Sequence, residues 1–366
     1  MILENLCLTD FKSYSEASFS FDPSVNLICG DNAQGKTNLL ESIFYLSSLR
    51  SFRPLKDKEI VRIGTGAARI QADIAAASDR YTIVIQISPP ERRQIFVNGV
   101  KLSKASELVS LVTTVLFCPD DLSLIRESGA KRRRFFNMAL CQLRPRYLAL
   151  LSEYNKVLEH KQAILKQGLQ NRSLLSTLET FNERLAAAAA PLILYRAQFV
   201  DALKKEAAVI HREIAPMEEL TMEYQTVRGL KDPLSMSEGE IETHLILCAE
   251  QYRESEIAAR AALFGVQKDD LLLMINGLGT RQYASQGQAR SAALALKLGE
   301  REVFYRESGQ YPILLLDDVL SELDDARRDY VLNKIDKGQV LITSCNQSDM
   351  KKIQAGKVFA IKKQKE

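Results

Sequence analysis

The sequence predicts an α/β fold in which a mixed lobe is interrupted by a compact helical insertion and then resumes. A glycine-rich loop at 30–37 follows a short apolar run and precedes a helical pattern, the order found in strand–loop–helix units that bind phosphate. A second apolar run, 313–316, ends in Asp317 and Asp318, and strand patterns are lacking over 140–265. We therefore predict an N-terminal lobe at 1–139, a helical arm at 140–265 and a C-terminal lobe at 266–366.

The composition is that of a globular protein rather than a disordered or membrane-spanning chain. Of 366 residues, 46% are apolar and 26% are charged, which is enough material for more than one core. No run approaches the ~20 apolar residues that a membrane span requires, and the N-terminus lacks a basic segment followed by an apolar one. The six cysteines are scattered without a C-x-x-C pair, so neither zinc nor disulfides are expected. We expect a cytoplasmic protein with no membrane partner.

The elements of the N-terminal lobe follow from local patterns. Alternating apolar residues predict a hairpin at 3–11 and 17–21, and the apolar run 25–29 predicts a buried strand that leads into the loop. Apolar spacing near 3.6 over 37–49 indicates a helix whose N-terminus faces phosphate. Asn98-Gly99 is typical of a tight turn ahead of a short capped helix. Further strands are predicted at 68–75, 81–87 and 94–97.

The arm is rich in Leu, Ala, Glu, Lys and Gln, and we expect four prolines to divide it into several helices: Pro145, Pro191, Pro216 and Pro233. These prolines and Gly168 argue against a long continuous coiled coil. Beyond the arm, a helix is predicted at 289–305. Strands are predicted at 271–275, 313–316 and 339–343.

The loop at 30–37 has the composition of an ATP site. The residues expected to hold the nucleotide are Gly30, Asn32, Gly35, Lys36, Thr37 and Asn38. Lys36 would reach the β- and γ-phosphates, and Thr37 would place its hydroxyl on Mg²⁺, which Asp317 would hold through water. Asp318 is the candidate general base or water-positioning group, although a solvated carboxylate at the strand end stays open. Asp is shorter than the Glu usual at this position, so we expect slow hydrolysis.

A second anion-binding segment, which we call the cap, lies at 285–288. Ser285, Gly287 and Gln288 combine a hydroxyl with backbone N–H groups at a helix start. The motif is weak alone, but its distance ahead of the acidic strand is typical of ABC-type ATPases, in which the cap of one subunit closes over the γ-phosphate held by the other. Ser285 therefore joins Lys36 and Asp318 as a candidate catalytic residue.

The segment 321–324, which we call the seam loop, matches the loop that runs along the dimer seam of ABC-type ATPases. It ends in Asp324, a candidate contact to the nucleotide site. A plain N-cap role for Ser321 stays open.

In order and spacing, five segments resemble the RecF family of bacterial recombination mediators, relatives of the SMC-type ATPases: 10–14, 30–38, 117–122, 285–288 and 317–324. The resemblance covers essentially the whole chain. It implies a split ABC-type ATPase head that dimerises on ATP, hydrolyses it slowly and binds gapped or duplex DNA without sequence preference. It also implies action with RecR, and indirectly with RecO and RecA. By the same resemblance Lys12 and Ser13 lie near the α-phosphate or ribose, although an exposed hairpin end stays open.

The sequence also departs from the usual ABC pattern. All three histidines lie in the arm, so the switch histidine after the last core strand is missing, and Thr343 or Ser344 is left as its replacement. No glutamine occurs between residues 94 and 142, which leaves Asp120 or Asp121 for the metal contact of the glutamine loop. Asn137 stands where the RecF family commonly has Asp.

Two groups of basic residues are candidates for DNA phosphates, although the net charge is only +3. The first basic cluster is Arg126, Lys131, Arg132, Arg133 and Arg134. The second basic cluster is Arg50, Arg53, Lys56, Lys58 and Arg62. A solvated basic face stays open for both, since acidic residues are interspersed. No sequence-reading motif is present, so recognition by backbone or shape is expected.

Three other classes of protein share part of this pattern. A transporter ATPase subunit would not carry the long helical insertion and would need a membrane partner. A long-armed chromosome-structure ATPase would need an extended heptad run, which the prolines oppose. An interaction module that binds ATP without turnover is the strongest rival, because Asp318 and the missing histidine leave turnover open.

Overall fold

The computed structural model describes residues 1–31, 33–77, 79–168, 172–335, 337–345 and 356–361. The strands are β1 (Ile2–Phe11), β2 (Tyr14–Ser20), β3 (Val25–Cys29), β4 (Ala68–Ala76), β5 (Asp79–Ile87), β6 (Gln94–Val97), β7 (Val100–Lys101), β8 (Thr114–Phe117), β9 (Leu220–Gln225), β10 (Asp270–Ile275), β11 (Leu278–Gly279), β12 (Ile313–Leu316), β13 (Val340–Ser344) and β14 (Lys357–Ala360). The helices are α1 (Lys36–Ser48), α2 (Ser106–Val109), α3 (Ser123–Arg126), α4 (Gly129–Leu143), α5 (Pro145–Gln167), α6 (Leu178–Ile214), α7 (Glu238–Ala259), α8 (Thr280–Tyr283), α9 (Gln286–Ser308) and α10 (Asp325–Lys334). None of the helices within these ranges is long and apolar enough to cross a bilayer.

A parallel sheet with the strand order β14-β3-β13-β12-β8 lies at the centre. Side chains alternate along each strand, so Ile313 and Leu315 of β12 join one core while Leu314 and Leu316 join the other. Parallel sheets are commonly covered on both faces, which is why these strands are continuous apolar runs. The carboxyl ends of β3 and β12 meet at one edge of the sheet, where the predicted loop and aspartates follow.

An antiparallel sheet, in the order β2-β1-β4-β5-β6-β7, packs on one side of the parallel sheet together with α1. The predicted hairpin is confirmed, with Leu6 opposite Phe19. The predicted turn is also confirmed: Asn98 and Gly99 have φ of 50° and 81° and join β6 to β7. The short helix α2 has no side-chain cap, contrary to our expectation.

Two predictions for the arm are wrong. Pro191 does not end a helix but lies inside α6, a helix of 37 residues. Pro191 is buried within an alanine-rich stretch, and packing on both sides keeps the helix continuous despite the missing N–H donor. The arm also contains the strand β9, which pairs with β10 through partners such as Leu272 and Glu223. The arm boundaries stay predictions, since α4 runs across the first of them.

The arm and the helix that follows the cap share one core. Gly299 of α9 lies against α6, and a Cβ at this position would be 3.0 Å from Ala207 N. Arg196 of α6 donates to Asp269 Oδ2 at 2.6 Å and to Asn137 Oδ1 at 3.0 Å, and both charged side chains are buried. Burial raises the pKa of Asp269, and the Arg196 charge opposes this rise. The arm is therefore fixed to the lobe by close backbone contact and a buried ion pair.

Candidate functional site

The phosphate loop joins β3 to α1 and depends on glycine at its end. Gly35 has φ of 103°, a conformation that favours glycine. A Cβ at Gly35 would lie 2.9 Å from Ser13 Oγ and 3.0 Å from the Tyr14 hydroxyl. The Tyr14 hydroxyl donates to Gly35 O at 3.1 Å, so β2 fixes the loop from outside. Tyr14 lies in a segment that carried the family resemblance, but its neighbours Ser13 and Ser15 gave no signal for this contact.

Lys36 is the first residue of α1 and is buried. Its Nζ donates to Gly30 O at 2.7 Å and to Asp31 O at 2.9 Å, and it lies 3.3 Å from Cys345 Sγ. The ammonium is thus held across the loop, where helix N–H groups would also face an anion. The predicted contact Asn32 lies outside the described residues.

The loop is joined to the acidic strand by a hydroxyl–carboxylate contact. Thr37 Oγ1 donates to Asp317 Oδ1 at 3.0 Å, and Thr343 Oγ1 donates to the same oxygen at 3.0 Å. Burial raises the pKa of Asp317, while hydrogen bonds from Thr343 and Thr37 and the nearby charge of Arg53 oppose that rise. Hydroxyl and carboxylate oxygens are the ligands that Mg²⁺ takes, so Thr37 and Asp317 fit this ion.

Thr343 also connects the two aspartates. The backbone N–H of Asp318 donates to Thr343 Oγ1 at 2.8 Å. Thr343 therefore occupies the end of β13, where the sequence lacks the switch histidine, and Ser344 beside it is buried. Asp318 has φ of 53°, a conformation unusual outside glycine and best tolerated by Asn and Asp, which turns the chain sharply after β12.

The cap residues form the start of α9. Ser285 Oγ accepts from Gln288 N at 3.2 Å, and Gln288 Oε1 accepts from Ser285 N at 2.9 Å, a reciprocal capping box. Ser285 is exposed, and its hydroxyl, which accepts here, keeps a proton to donate. The cap is thus an exposed N-terminus of a 23-residue helix, where the helix dipole favours an anion.

The seam loop begins in a short 3₁₀ turn and ends at α10. Ser321 Oγ donates to Asp318 O at 2.9 Å, and the N-cap of α10 is Asp324, whose carboxylate accepts from Arg327 N at 3.0 Å. The N-cap interpretation of Ser321 is therefore wrong, because the chain turns into α10 three residues later.

Two other predicted groups have structural partners. Lys12 forms an ion pair with the buried Glu41 of α1, which places its charge beside the helix, and Ser13 Oγ accepts from Asn38 Nδ2 at 2.8 Å. Asp121 Oδ2 accepts from Cys118 N at 2.8 Å. Burial raises the pKa of Asp121, and the charge of Lys297 opposes this rise. Asp120, next to it, is exposed.

The prediction that Arg132 contacts DNA as part of the first basic cluster is wrong. It is buried, and its guanidinium donates to Asp270 at 2.6 and 2.9 Å and to Leu124 O and Glu127 O, both at 2.9 Å. These four hydrogen bonds use the donors that DNA phosphates would need. A run of basic residues on a helix places some of them on the inner face, which the charge pattern alone did not reveal.

The two basic clusters meet on the surface. Arg134 Nη2 donates to Phe52 O at 3.0 Å, which brings α4 against the second cluster. Arg126 donates to Ala284 O at 3.4 Å, next to the cap, and Arg133 donates to Asp269 O at 2.7 Å. The exposed members are Arg50, Arg53, Lys56, Lys58, Arg126 and Arg134.

We expect Arg132→Gln to lower the free energy of unfolding without weakening DNA binding by the folded protein. The loss should be about 1–3 kcal/mol, because Asp270 and two carbonyls lose their donor. Urea unfolding and DNA titration at equal folded fraction check this. The control Arg50→Gln, which removes an exposed charge, should leave stability unchanged and weaken DNA binding. Weaker DNA binding by folded Arg132→Gln than by wild type would contradict the assignment.

Comparisons with known proteins identify the family to which this fold and this site belong. The sequence profile of the RecF/RecN/SMC N terminal domain matches residues 2–366. The chain is 39% identical over 338 residues to the DNA replication and repair protein RecF of Bacillus subtilis (strain 168), covering 92% of this chain and 90% of that protein. It is 35% identical over 368 residues to the protein of the same name from Clostridium kluyveri, covering 100% and 99%.

Solved structures give the same result for the fold. A structure of the recombination mediator protein RecF with ATP, from the RecFOR pathway, superposes with a TM-score of 0.91 at 33% identity and covers 98% of this chain and 95% of that one. An Smc head domain from Pyrococcus furiosus matches at a TM-score of 0.56 and 15% identity, over 99% of this chain and 94% of its own, which is a likeness of fold alone. The chain has the SMC-like head fold and belongs to the RecF family.

Proposed function

We propose that the chain is an ATP-gated DNA-binding ATPase of recombinational repair whose active site is completed by a second copy of itself. The contact between Thr37 and Asp317 carries the proposal, because it places the phosphate loop and the acidic strand at one site. The cap lies at the start of a different helix, and the Ser285 side chain bonds within that helix. Relatives named as DNA replication and repair proteins support the repair role.

ATP would bind with its phosphates on the loop. Backbone N–H groups at the start of α1 and the Lys36 ammonium would face the β- and γ-phosphates. Thr37 and Asp317 would hold Mg²⁺, which neutralises charge on the phosphate oxygens when bound. Asp318 would orient the attacking water, and Thr343 would fix the Asp318 backbone.

The cap of the second copy would then close over the γ-phosphate. The exposed start of α9 offers backbone N–H groups and the Ser285 hydroxyl to an anion, while Gly287 lets the backbone approach closely. Nucleotide binding would thereby become dimerisation. Hydrolysis would remove the anion that the cap holds, and the two copies would separate.

DNA would bind across the surface on which the two basic clusters meet. Its exposed cations belong to α3, to α4 and to the segment after α1, and none of these elements is proposed to read bases. Arg126 lies next to the cap, so closure would also position this surface. We propose that RecR is a direct partner and that RecO and RecA act indirectly, in keeping with the RecFOR pathway of the solved relatives.

The test is DNA affinity as a function of salt, on gapped and plain duplex, with and without ATP. If roughly six cations contact phosphates, log K should fall with log salt at a slope near −5. Affinity should require ATP and should be lost in Lys36→Met and in Ser285→Arg. Binding that is absent, or indifferent to ATP and to both substitutions, would overturn the DNA role. The Arg50→Gln variant should reduce the slope by about one.

A module that binds ATP without turnover is the second candidate function. It is favoured by the short carboxylate at position 318 and by a threonine, rather than a histidine, at the end of β13. The two functions differ in the response to Asp318→Asn, which is argued below.

A further inference from the structure

Arg327, on the first turn of α10, joins the seam loop to the cap within one chain. Its Nη1 forms an ion pair with the carboxylate of Asp324, the N-cap of its own helix. Its Nε and Nη2 donate to Ser291 Oγ at 2.9 and 2.7 Å, and Nη2 also donates to Gly287 O at 3.2 Å. Three partners in two separate segments of the chain therefore converge on one guanidinium.

The contact is built into the fold and is not a chance surface pair. The Arg327 side chain is 18% exposed, and Ser291, one turn into α9, is fully buried. Exposed ion pairs contribute little, but a planar guanidinium with fixed donors holds several acceptors in one geometry. A lysine ammonium is a compact charge and does not span the same set of acceptors.

The other contacts of α10 fix the helix in place. Tyr330 donates to Glu213 Oε2 of α6 at 2.8 Å. Arg328 donates to Leu320 O at 3.2 and 3.0 Å, one residue before the seam loop. Arg327 faces α9 from this fixed helix. The position of Gly287 in the cap is consequently tied to the position of Asp324.

We propose that Arg327 is a positioning residue that couples the cap to the seam loop, so that a second copy must engage both segments together. The inference rests on the proposed two-chain site. It adds the residue that fixes the cap and the seam loop relative to each other. Without Arg327, the start of α9 would lose a donor at Gly287 O and at Ser291. The phosphate loop would keep its own contacts, because those of Lys36 and Thr37 lie elsewhere in the chain.

The experiment compares wild type with Arg327→Ala, Arg327→Lys and Ser291→Ala. Dimerisation is measured by sedimentation with ATP and Mg²⁺, and nucleotide binding by the monomer is measured with a fluorescent ATP analogue at low protein concentration. Arg327→Ala should weaken dimerisation at least about 10-fold, since hydrogen bonds to a charged group are lost, while nucleotide affinity stays within about twofold. Arg327→Lys should weaken it similarly. The matched control is Arg306→Ala, which removes an exposed arginine pair with Glu206 at the far end of α9 and should leave dimerisation unchanged.

Ser291→Ala keeps the test decisive if Arg327→Ala folds poorly. It should weaken dimerisation by a smaller factor, and combining it with Arg327→Ala should add nothing, because both remove the same contact. Dimerisation of Arg327→Ala at wild-type affinity, full function of Arg327→Lys, or additive effects in the double variant would overturn the coupling. Failure of wild type to dimerise on ATP, or normal dimerisation of Ser285→Arg, would instead overturn the two-chain site itself.

Discussion

Mixing the Lys36→Met and Ser285→Arg variants is expected to restore ATP turnover that neither variant shows alone. Each single variant should lose about 10²–10³-fold, because each removes one anion-stabilising element from every site. In a mixed dimer, one site combines the intact Lys36 of one copy with the intact Ser285 of the other. The other site of the mixed dimer carries both substitutions and is inactive. With random pairing, half of the dimers in an equal mixture are mixed, so about a quarter of all sites are intact and about a quarter of wild-type turnover should return.

The control is to mix Lys36→Met with the double variant that carries both substitutions. No pairing of these chains contains an intact site, so turnover should stay at background. Turnover is measured by phosphate release at a protein concentration that supports dimers. If Ser285→Arg alone keeps wild-type turnover, or if the first mixture forms mixed dimers without recovery, the site is complete within one chain.

Asp318→Asn is expected to abolish hydrolysis but to preserve ATP-dependent dimerisation. The loss should be about 10²–10⁴-fold, the range of a positioned acid–base group. Asn tolerates the positive φ at this position, so the turn after β12 and the N–H donated to Thr343 are retained. Slower hydrolysis keeps the nucleotide bound, and dimers should persist longer than those of wild type.

Single-turnover hydrolysis and sedimentation in the presence of ATP check this expectation. Glu254→Gln makes the same charge change at an α7 side chain that is 85% exposed and should leave both properties unchanged. Unaltered turnover in Asp318→Asn would mean that this carboxylate is only a solvated strand end. Wild-type protein that binds ATP and dimerises but never hydrolyses it would establish the binding module instead.

The sequence predicted those parts of the fold that local patterns determine. The apolar run at 313–316 is a strand buried on both faces, and the loop at 30–37 meets its carboxyl end, because continuous apolar residues and a glycine turn leave few alternatives. Pro191 and β9 were missed for one reason. Pro191 lies in a buried stretch of α6, a helix that packs against α5, α7 and α9, and β9 pairs with β10, so both depend on partners outside their own segment of the chain. Local propensity carries no record of such partners.

The sequence predicted which residues form the candidate site better than it predicted which partners those residues contact. Lys36, Thr37 and Asp317 were expected together and lie together. Arg132 was expected on the surface and is buried, because the run of charges did not distinguish the two faces of α4. Arg327 was missed, although its spacing of three residues from Asp324 is one at which helical side chains meet.

The close approach of α9 to α6 has a mechanical consequence. Gly299 brings the helix that begins at the cap within backbone contact of Ala207, and methyl-sized groups there leave no room for sliding. The arm helix α6 and α9, which begins at the cap, therefore form one rigid unit. Under the proposed two-chain mechanism, a protein that binds the arm and tilts it would also displace the start of α9, and so would change the ATP site without contacting the nucleotide.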